Sequence, residues 1–135
     1  MERSLVYVSR KTLVPGQEDA VIADIVAVAR ARNADLGVTG VLAATTGNFA
    51  QILEGPEAAL DALMGSIYRD PRHRDVTVLR VTGISRRSFA DWSMAYSGPS
   101  TYIARHIEPL VGTDPWDDPE RIDRLIALLV GFAGK

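Results

Sequence analysis

Residues 48–57, with the sequence NFAQILEGPE, lead from a predicted strand directly into a predicted helix. Since successive side chains of a strand point to opposite faces, Phe49, Gln51 and Leu53 share one face. Residues 55–57, Gly-Pro-Glu, are typical of a helix start, with proline at or near the first helical position. The segment therefore predicts a strand whose apolar face carries a single amide, followed by a helix.

The elements before this segment are two strands and a helix. Residues 37–44 are predicted to pair with residues 48–54 in a hairpin around Thr46-Gly47. Residues 4–9, which are β-branched and aromatic, predict a first strand. Between these strands, the apolar residues share one helical face and basic residues close the helix, as suits the helix dipole. These residues are Val21, Ile25, Val28 and Ala29 on the face, and Arg30 and Arg32 at the end.

The elements after this segment complete the fold prediction. A second amphipathic helix is indicated by apolar side chains at steps of three and four, and residues 75–84 and 92–96 resemble two more strands. The order is βαββαββ, which predicts an α+β, ferredoxin-like mixed sheet with both helices on one face. The apolar residues of the second helix are Leu60, Leu63, Met64, Ile67 and Tyr68.

A helical extension follows the sheet. We divide the chain into a domain of residues 1–98 and a C-terminal extension of residues 99–135, with helices predicted at 102–110 and after Asp118-Pro119-Glu120. Because helices on one face leave the other face of the sheet bare, we expect the extension to cover it rather than to have a purely regulatory role. The apolar stripe of the last helix is Ile122, Leu125, Ile126, Leu129 and Phe132.

Charge, composition and missing motifs exclude several classes of partner and activity. A net charge of −2 predicts neither a nucleic-acid nor a membrane partner, and the absence of cysteine excludes disulfides and thiolate chemistry. Residues 36–53 carry no charge, but turn and polar residues interrupt them, so we predict a soluble, cytoplasmic protein. His73 and His106 do not have metal-site spacing, and no phosphate-binding loop or nucleophile motif occurs, so no enzyme or metal site is predicted.

Tyr7 and Gln51 are the candidate functional pair. In a βαββαββ sheet the first and third strands are usually adjacent, so the face of Leu5, Tyr7 and Ser9 would lie beside that of Gln51. A buried phenol and a buried amide can satisfy each other, but the amide has capacity left for backbone, water or a ligand. Taken alone, such a pair is more often structural.

Four motifs in sequence order resemble the BLUF family of blue-light sensors. Tyr7-Val8-Ser9 is similar to the Tyr-x-Ser of the family's first strand. Gly37-Val38-Thr39-Gly40, followed by residues 49–55, resembles the middle of the family's domain. Residues 69–73 and residues 87–94 resemble two further motifs of the family. The resemblance covers about residues 3–98.

This resemblance implies a flavin, usually FAD and possibly FMN, between the two helices. Tyr7 would donate an electron and a proton to the excited flavin, and Gln51 would bridge the phenol and the ring by rotating or tautomerising. Asn33 would hold the polar edge of the ring, and Trp92 and Met94 would pass the signal to the fifth strand. The resemblance further implies an anion-binding side formed by Arg32, Asp70, Arg72 and His73, and an apolar clamp formed by Ile25, Leu42, Phe49 and Ile67.

The leading hypothesis is therefore a non-enzymatic photoreceptor whose output runs through the tail, through homo-oligomerisation or through a separate regulatory protein. One alternative is a flavin-free interaction or structural module with the same fold. Another is a small hydrolase of the acylphosphatase sort, which would need an anion loop after the first strand. Arg10 and Lys11 are present there, without a glycine-rich cradle.

Overall fold

The computed structural model describes residues 2–12, 16, 18–98, 100–114 and 116–133. Within these ranges, five strands and four helices follow the predicted order, with a 3₁₀ turn at Glu108–Leu110 after the third helix. The strands are β1 (Glu2–Lys11), β2 (Thr39–Ala44), β3 (Asn48–Pro56), β4 (His73–Gly83) and β5 (Trp92–Ser97). The helices are α1 (Glu18–Leu36), α2 (Glu57–Arg69), α3 (Thr101–Ile107) and α4 (Pro119–Ala133).

The strands form one mixed sheet in the order β4-β1-β3-β2-β5. β5 runs parallel to β2, and the other neighbouring pairs are antiparallel. β1 lies beside β3 with Tyr7 directly opposite Gln51, so the predicted adjacency of these strands is confirmed. The predicted ferredoxin-like α+β fold is confirmed with it.

Gly40 permits the close approach of β2 to β3. Its φ is 155°, and a Cβ atom at this position would lie 2.0 Å from the Ile52 carbonyl oxygen. No side chain can occupy that space, because the obstructing atom belongs to the backbone of the central strand. The glycine is therefore required by the packing of the hairpin.

Helices α1 and α2 cover one face of the sheet. Leu5, Phe49 and Leu53 pack there with Leu60 and Leu63 of α2, as the two-residue period predicts. The remaining buried residues of this cluster are Tyr7, Ile22, Ala29, Val38, Leu42, Ala44, Ala59, Met64, Ile67 and Trp92.

The prediction that Arg30 and Arg32 close the first helix is wrong. α1 continues to Leu36 and ends at Gly37, whose φ of 69° suits a glycine after a helix C-terminus. The N–H groups of Gly37 and Val38 donate to carbonyls of the last turn. The helix therefore ends where a left-handed residue can satisfy its carbonyls, and not at the last basic side chain.

The C-terminal extension covers the opposite face, which confirms the structural role predicted for it. Ile122, Leu125 and Leu129 of α4 have exposed fractions of 1%, 0% and 0%. They pack, together with α3, against the sheet residues Val6, Val8, Val41, Ala43, Ala50 and Ile52. The predicted division after residue 98 falls at residue 99, which lies outside the described residues, and the division itself stays a prediction.

Polar contacts fasten the start of the extension to the sheet. Glu108 accepts hydrogen bonds from the Arg10 guanidinium at 2.9 and 2.7 Å and from Asn48 Nδ2 at 2.5 Å. Asp75 accepts a further bond from Arg10 at 2.8 Å. Because two carboxylates already neutralise Arg10, this residue does not present a free anion site, which counts against the acylphosphatase alternative.

Candidate functional site: a cleft between two helices and the sheet

A cleft lies between α1, α2 and the sheet face that they cover. Its free space is about 550 Å³ when the open solvent at its mouth is included. Each helix contributes residues at steps of three and four. The cleft is lined by Ile25, Val28, Ala29, Arg32 and Asn33 of α1 and by Leu63, Ser66 and Ile67 of α2. Asp70, Arg72 and His73 form its mouth, and Tyr7, Leu42, Phe49, Gln51, Leu53 and Trp92 its sheet side.

Tyr7 and Gln51 are joined at the base of the cleft. The Tyr7 hydroxyl donates to Gln51 Oε1 across 2.6 Å, and the exposed fractions of the two residues are 1% and 5%. β1 and β3 hold the pair in register, so neither side chain depends on a flexible loop for its position. In the described part of the chain, the Gln51 NH₂ group has no protein acceptor. That end of the amide is therefore available to a third group.

Burial reinforces the protonated state of Tyr7. Removal of the phenol from water raises the pKa of Tyr7 well above its ordinary value, with a smaller lowering effect from Arg32 and a raising effect from Asp70. The phenol therefore stays protonated at neutral pH. It keeps the proton that its hydrogen bond to Gln51 requires.

Three polar atoms of the cleft side chains are buried without a partner among the described residues. They are Arg32 Nε, Asn33 Oδ1 and Trp92 Nε1. A buried polar group without a hydrogen bond costs free energy, and ligand sites are one of the places where such groups occur. The cleft thus offers one acceptor and two donors.

Charged groups gather at the mouth of the cleft. Arg72 binds Asp70 through Nε and Nη2, and its Nη1 lies 3.0 Å from Asp24 Oδ2. Burial alone would raise the pKa of Asp70, but hydrogen bonds and charge from Arg72 outweigh burial and hold it below its usual value. Asp70, together with Asp24, in turn raises the pKa of Arg72. Arg72 is therefore a fixed cation between α1 and the end of α2.

His73 is a neutral, aromatic wall of the cleft. Its Nδ1 lies 2.8 Å from Ser9 Oγ, and its ring centroid is 4.5 Å from that of Phe49. Burial lowers the pKa of His73 to about 4, an effect that Asp70 opposes and Arg72 reinforces. At neutral pH this imidazole is uncharged, so it supplies a flat surface and a hydrogen bond rather than a positive charge.

The residues that the sequence singled out as flavin contacts all line this one cleft. Of the two predicted relay residues, Trp92 lies on the cleft wall, whereas Met94 packs against the same core without lining the cleft. Sequence reasoning missed five lining residues. Four of them, Val28, Ala29, Leu63 and Ser66, lie three or four residues from predicted contacts on the same helix or at its C-cap, so the helical period would have predicted them. The fifth, Leu53, lies two residues from Gln51, so the strand period would have predicted it.

By its fold and cleft, the chain is a small-molecule-binding α+β domain. The family model described as BLUF, sensors of blue-light using FAD, matches residues 3–95. The chain therefore belongs to this family of blue-light sensors.

Solved structures and sequence relatives agree with this assignment. The dark-state structure of BlrB, a BLUF protein, has a TM-score of 0.72 and 35% identity, and the match covers 94% of this chain and 96% of that one. The photo-activated state of BlsA has a TM-score of 0.75 and 26% identity, with 96% and 95% covered. The photoactivated adenylate cyclase subunit beta of Euglena longa is 37% identical over 92 residues, which is 67% of this chain. The chain spans about a tenth of the length of the cyclase subunits that it matches.

The cleft suits FAD, the cofactor of this family. A flavin ring is apolar over its faces and carries carbonyl and N–H groups along one edge. The apolar walls suit the faces, and the unpartnered Asn33 Oδ1 and Trp92 Nε1 are an acceptor and a donor complementary to that edge.

Regarding membranes, none of the helices in the described ranges has the length and apolar character that a membrane span requires.

Proposed function

We propose that this chain senses blue light through a hydrogen-bond network that joins Tyr7, Gln51 and a bound FAD. The observation that carries the proposal is the buried 2.6 Å hydrogen bond from the Tyr7 hydroxyl to Gln51, at the base of a cleft that suits a flavin. The bound flavin supplies blue-light absorption and an excited state that accepts an electron and a proton.

Tyr7 is the electron and proton donor of the proposed switch. Its hydroxyl is shielded from water and protonated, so its proton can leave only through the hydrogen bond that it makes. That bond ends on Gln51, which therefore controls where the proton goes. The register of β1 and β3 holds the donor at a fixed distance from the amide.

Gln51 is the switching element. A primary amide has a donor end and an acceptor end, so rotation or tautomerisation rewrites its hydrogen bonds while the backbone stays in place. In the arrangement of this structure the Oε1 atom accepts from Tyr7, and the NH₂ group is left for the flavin. After reversal the flavin would receive a different set of hydrogen bonds, which would change its absorption.

The other cleft residues hold the ring. Asn33 would bind its polar edge, and the apolar residues Ile25, Leu42, Phe49 and Ile67 would clamp its faces. Arg32, Asp70, Arg72 and His73 would lie beside the ribityl–phosphate part. Their common position in one cleft supports these assignments.

The proposed output passes through the sheet to the C-terminal extension. β1 and β3 carry the switch residues on one face, and on the other face Val6 and Ile52 pack against the cluster of α3 and α4. Relaxation of β3 after the Gln51 amide has reversed would therefore change the surface on which the extension lies. Trp92 and Met94 of β5 would offer a second route. A changed surface could alter homo-oligomerisation or contact with a separate regulatory protein.

The test is the visible absorption spectrum of the purified chain in the dark, after blue light and after return to the dark. We expect a flavin band that shifts to longer wavelength and recovers, with FAD or FMN identified after release by denaturation. Gln51→Leu, which removes both ends of the amide, should keep the flavin and lose the shift. A chain that stays colourless after incubation with FAD and FMN would instead support the flavin-free interaction module.

A further inference from the structure

One ion pair at the mouth of the cleft joins Arg72 to α1. Arg72 Nη1 lies 3.0 Å from Asp24 Oδ2, and its other nitrogens contact Asp70. Asp24 belongs to α1 and is 48 residues away from Arg72 in the chain. The guanidinium that faces the cleft thus has a carboxylate on each side.

The two carboxylates hold Arg72 unequally. Asp70 accepts from Nε and Nη2 and also from the Arg72 backbone N–H, and 20% of its side chain is exposed. Asp24 makes one contact with Arg72, and 65% of its side chain is exposed. An exposed single ion pair contributes little stability, so it can be exchanged for another anion at small cost. Asp24 is the partner that can leave.

We propose that Asp24 is an affinity- and specificity-determining residue of the flavin site, which competes with the flavin phosphate for Arg72 and so weakens the preference for phosphorylated flavins. This inference rests on the proposed function. A phosphate group needs the outward-facing N–H groups of the guanidinium, and Asp24 uses one of them. Riboflavin carries no phosphate and does not enter this competition.

The charges around the mouth support this competition. Two cations, Arg32 and Arg72, and two carboxylates, Asp24 and Asp70, belong to the mouth or lie in contact with it, so their formal charges cancel. His73 adds no charge at neutral pH. Loss of the Asp24 charge would leave the mouth with a net charge of about +1 by simple summation and would free one N–H of Arg72.

The experiment compares three flavins on the chain of residues 1–135. Wild type, Asp24→Asn and Asp35→Asn are dialysed against riboflavin, FMN or FAD at low salt, and the bound flavin is quantified by absorbance. Asp35→Asn removes the same charge from the same helix, at an exposed residue without an ion pair in the described part of the chain. We expect Asp24→Asn to tighten FMN and FAD binding about two- to fivefold, the scale of an exposed charge pair, and to leave riboflavin unchanged. The gain should shrink at high salt.

A double-mutant cycle separates competition for Arg72 from a general charge effect. In the Arg72→Gln background, Asp24→Asn should no longer change the ratio of FMN to riboflavin affinity. If Asp24→Asn matches Asp35→Asn, or keeps its full effect without Arg72, the inference is overturned while flavin binding stands. If the wild type binds no flavin, the inference and the proposed function fall together.

Discussion

At the scale of single residues, the phenol of Tyr7 differs from the other tyrosines in its surroundings. It is almost fully buried and donates to Gln51, whereas Tyr102 is 61% exposed at the surface of α3. Both residues would lose only a hydroxyl on replacement by phenylalanine. The pair therefore separates the chemistry of the phenol from the volume of the ring.

Tyr7→Phe should keep the flavin bound but abolish the light-induced absorption shift, because the ring still fills its space while the donor is gone. Absorption spectra before and after blue light measure this, with Tyr102→Phe as the matched control that should behave as wild type. A normal photocycle in Tyr7→Phe would contradict the role assigned to Tyr7.

His73 predicts a pH dependence of stability. Its pKa is about 4 in the folded chain and 6.5 ordinarily, so between these values the unfolded chain binds more protons than the folded one. Stability should therefore be full above pH 6.5 and fall by about 1–3 kcal/mol as the pH drops toward 4. Denaturant unfolding at several pH values measures this loss. His73→Gln should reduce the slope of the free energy of unfolding against pH. An unchanged slope would assign the loss of stability to other groups.

At the scale of elements, Glu108 joins the extension to the sheet. It contacts Arg10 of β1 and Asn48 of β3, and Asn48 Nδ2 also donates to the carbonyl of Ser9 at 3.3 Å. The Ser9 side chain reaches His73 in the cleft wall. Hydrogen bonds therefore run from the cleft through the sheet to the extension.

Glu108→Gln should weaken this connection and increase hydrogen exchange in α3 and the 3₁₀ turn, because the charged bonds from Arg10 are lost. Glu120→Gln is the control, since Glu120 is exposed and its ion pair with Arg124 spans 3.8 Å. Exchange monitored by mass spectrometry should change in the first variant only. Equal protection in both variants would show that apolar packing alone holds the extension.

At the scale of the whole molecule, one sheet contributes to two hydrophobic cores, one on each of its faces. The cleft-side cluster and the cluster under the extension use alternate residues of the same strands, such as Tyr7 and Val8 of β1. A mutation that destabilises one cluster should therefore also destabilise the other, because both depend on the same strands. The predicted domain of residues 1–98 and the extension should unfold together.

Leu125→Ala removes a fully buried side chain of α4 and should lower the free energy of unfolding by about 2–5 kcal/mol. Val130→Ala is the control on the same helix, because Val130 is 42% exposed and should change stability little. Circular dichroism and flavin fluorescence, followed together during denaturation, should give one coincident transition. Two separate transitions would mean that the extension folds independently of the sheet.

The sequence by itself determined the properties that follow from local geometry. A strand alternates its side chains at every residue, so the shared face of Tyr7 and Leu5, and that of Gln51 and Phe49, could be predicted without coordinates. Helical steps likewise placed Ile25 and Ile67 on inward faces. The family motifs then converted a structural pair of residues into a candidate photosensory switch.

Only the tertiary structure decided which distant groups meet. The contact of Asp24 with Arg72, the reach of Glu108 to Arg10 and the orientation of Trp92 toward the cleft depend on how helices and loops pack on the sheet. No local period encodes such contacts, because side chains from separate elements meet only after long-range packing has set their distances. The Tyr7–Gln51 face was therefore predictable, whereas the charge balance at the cleft mouth was not.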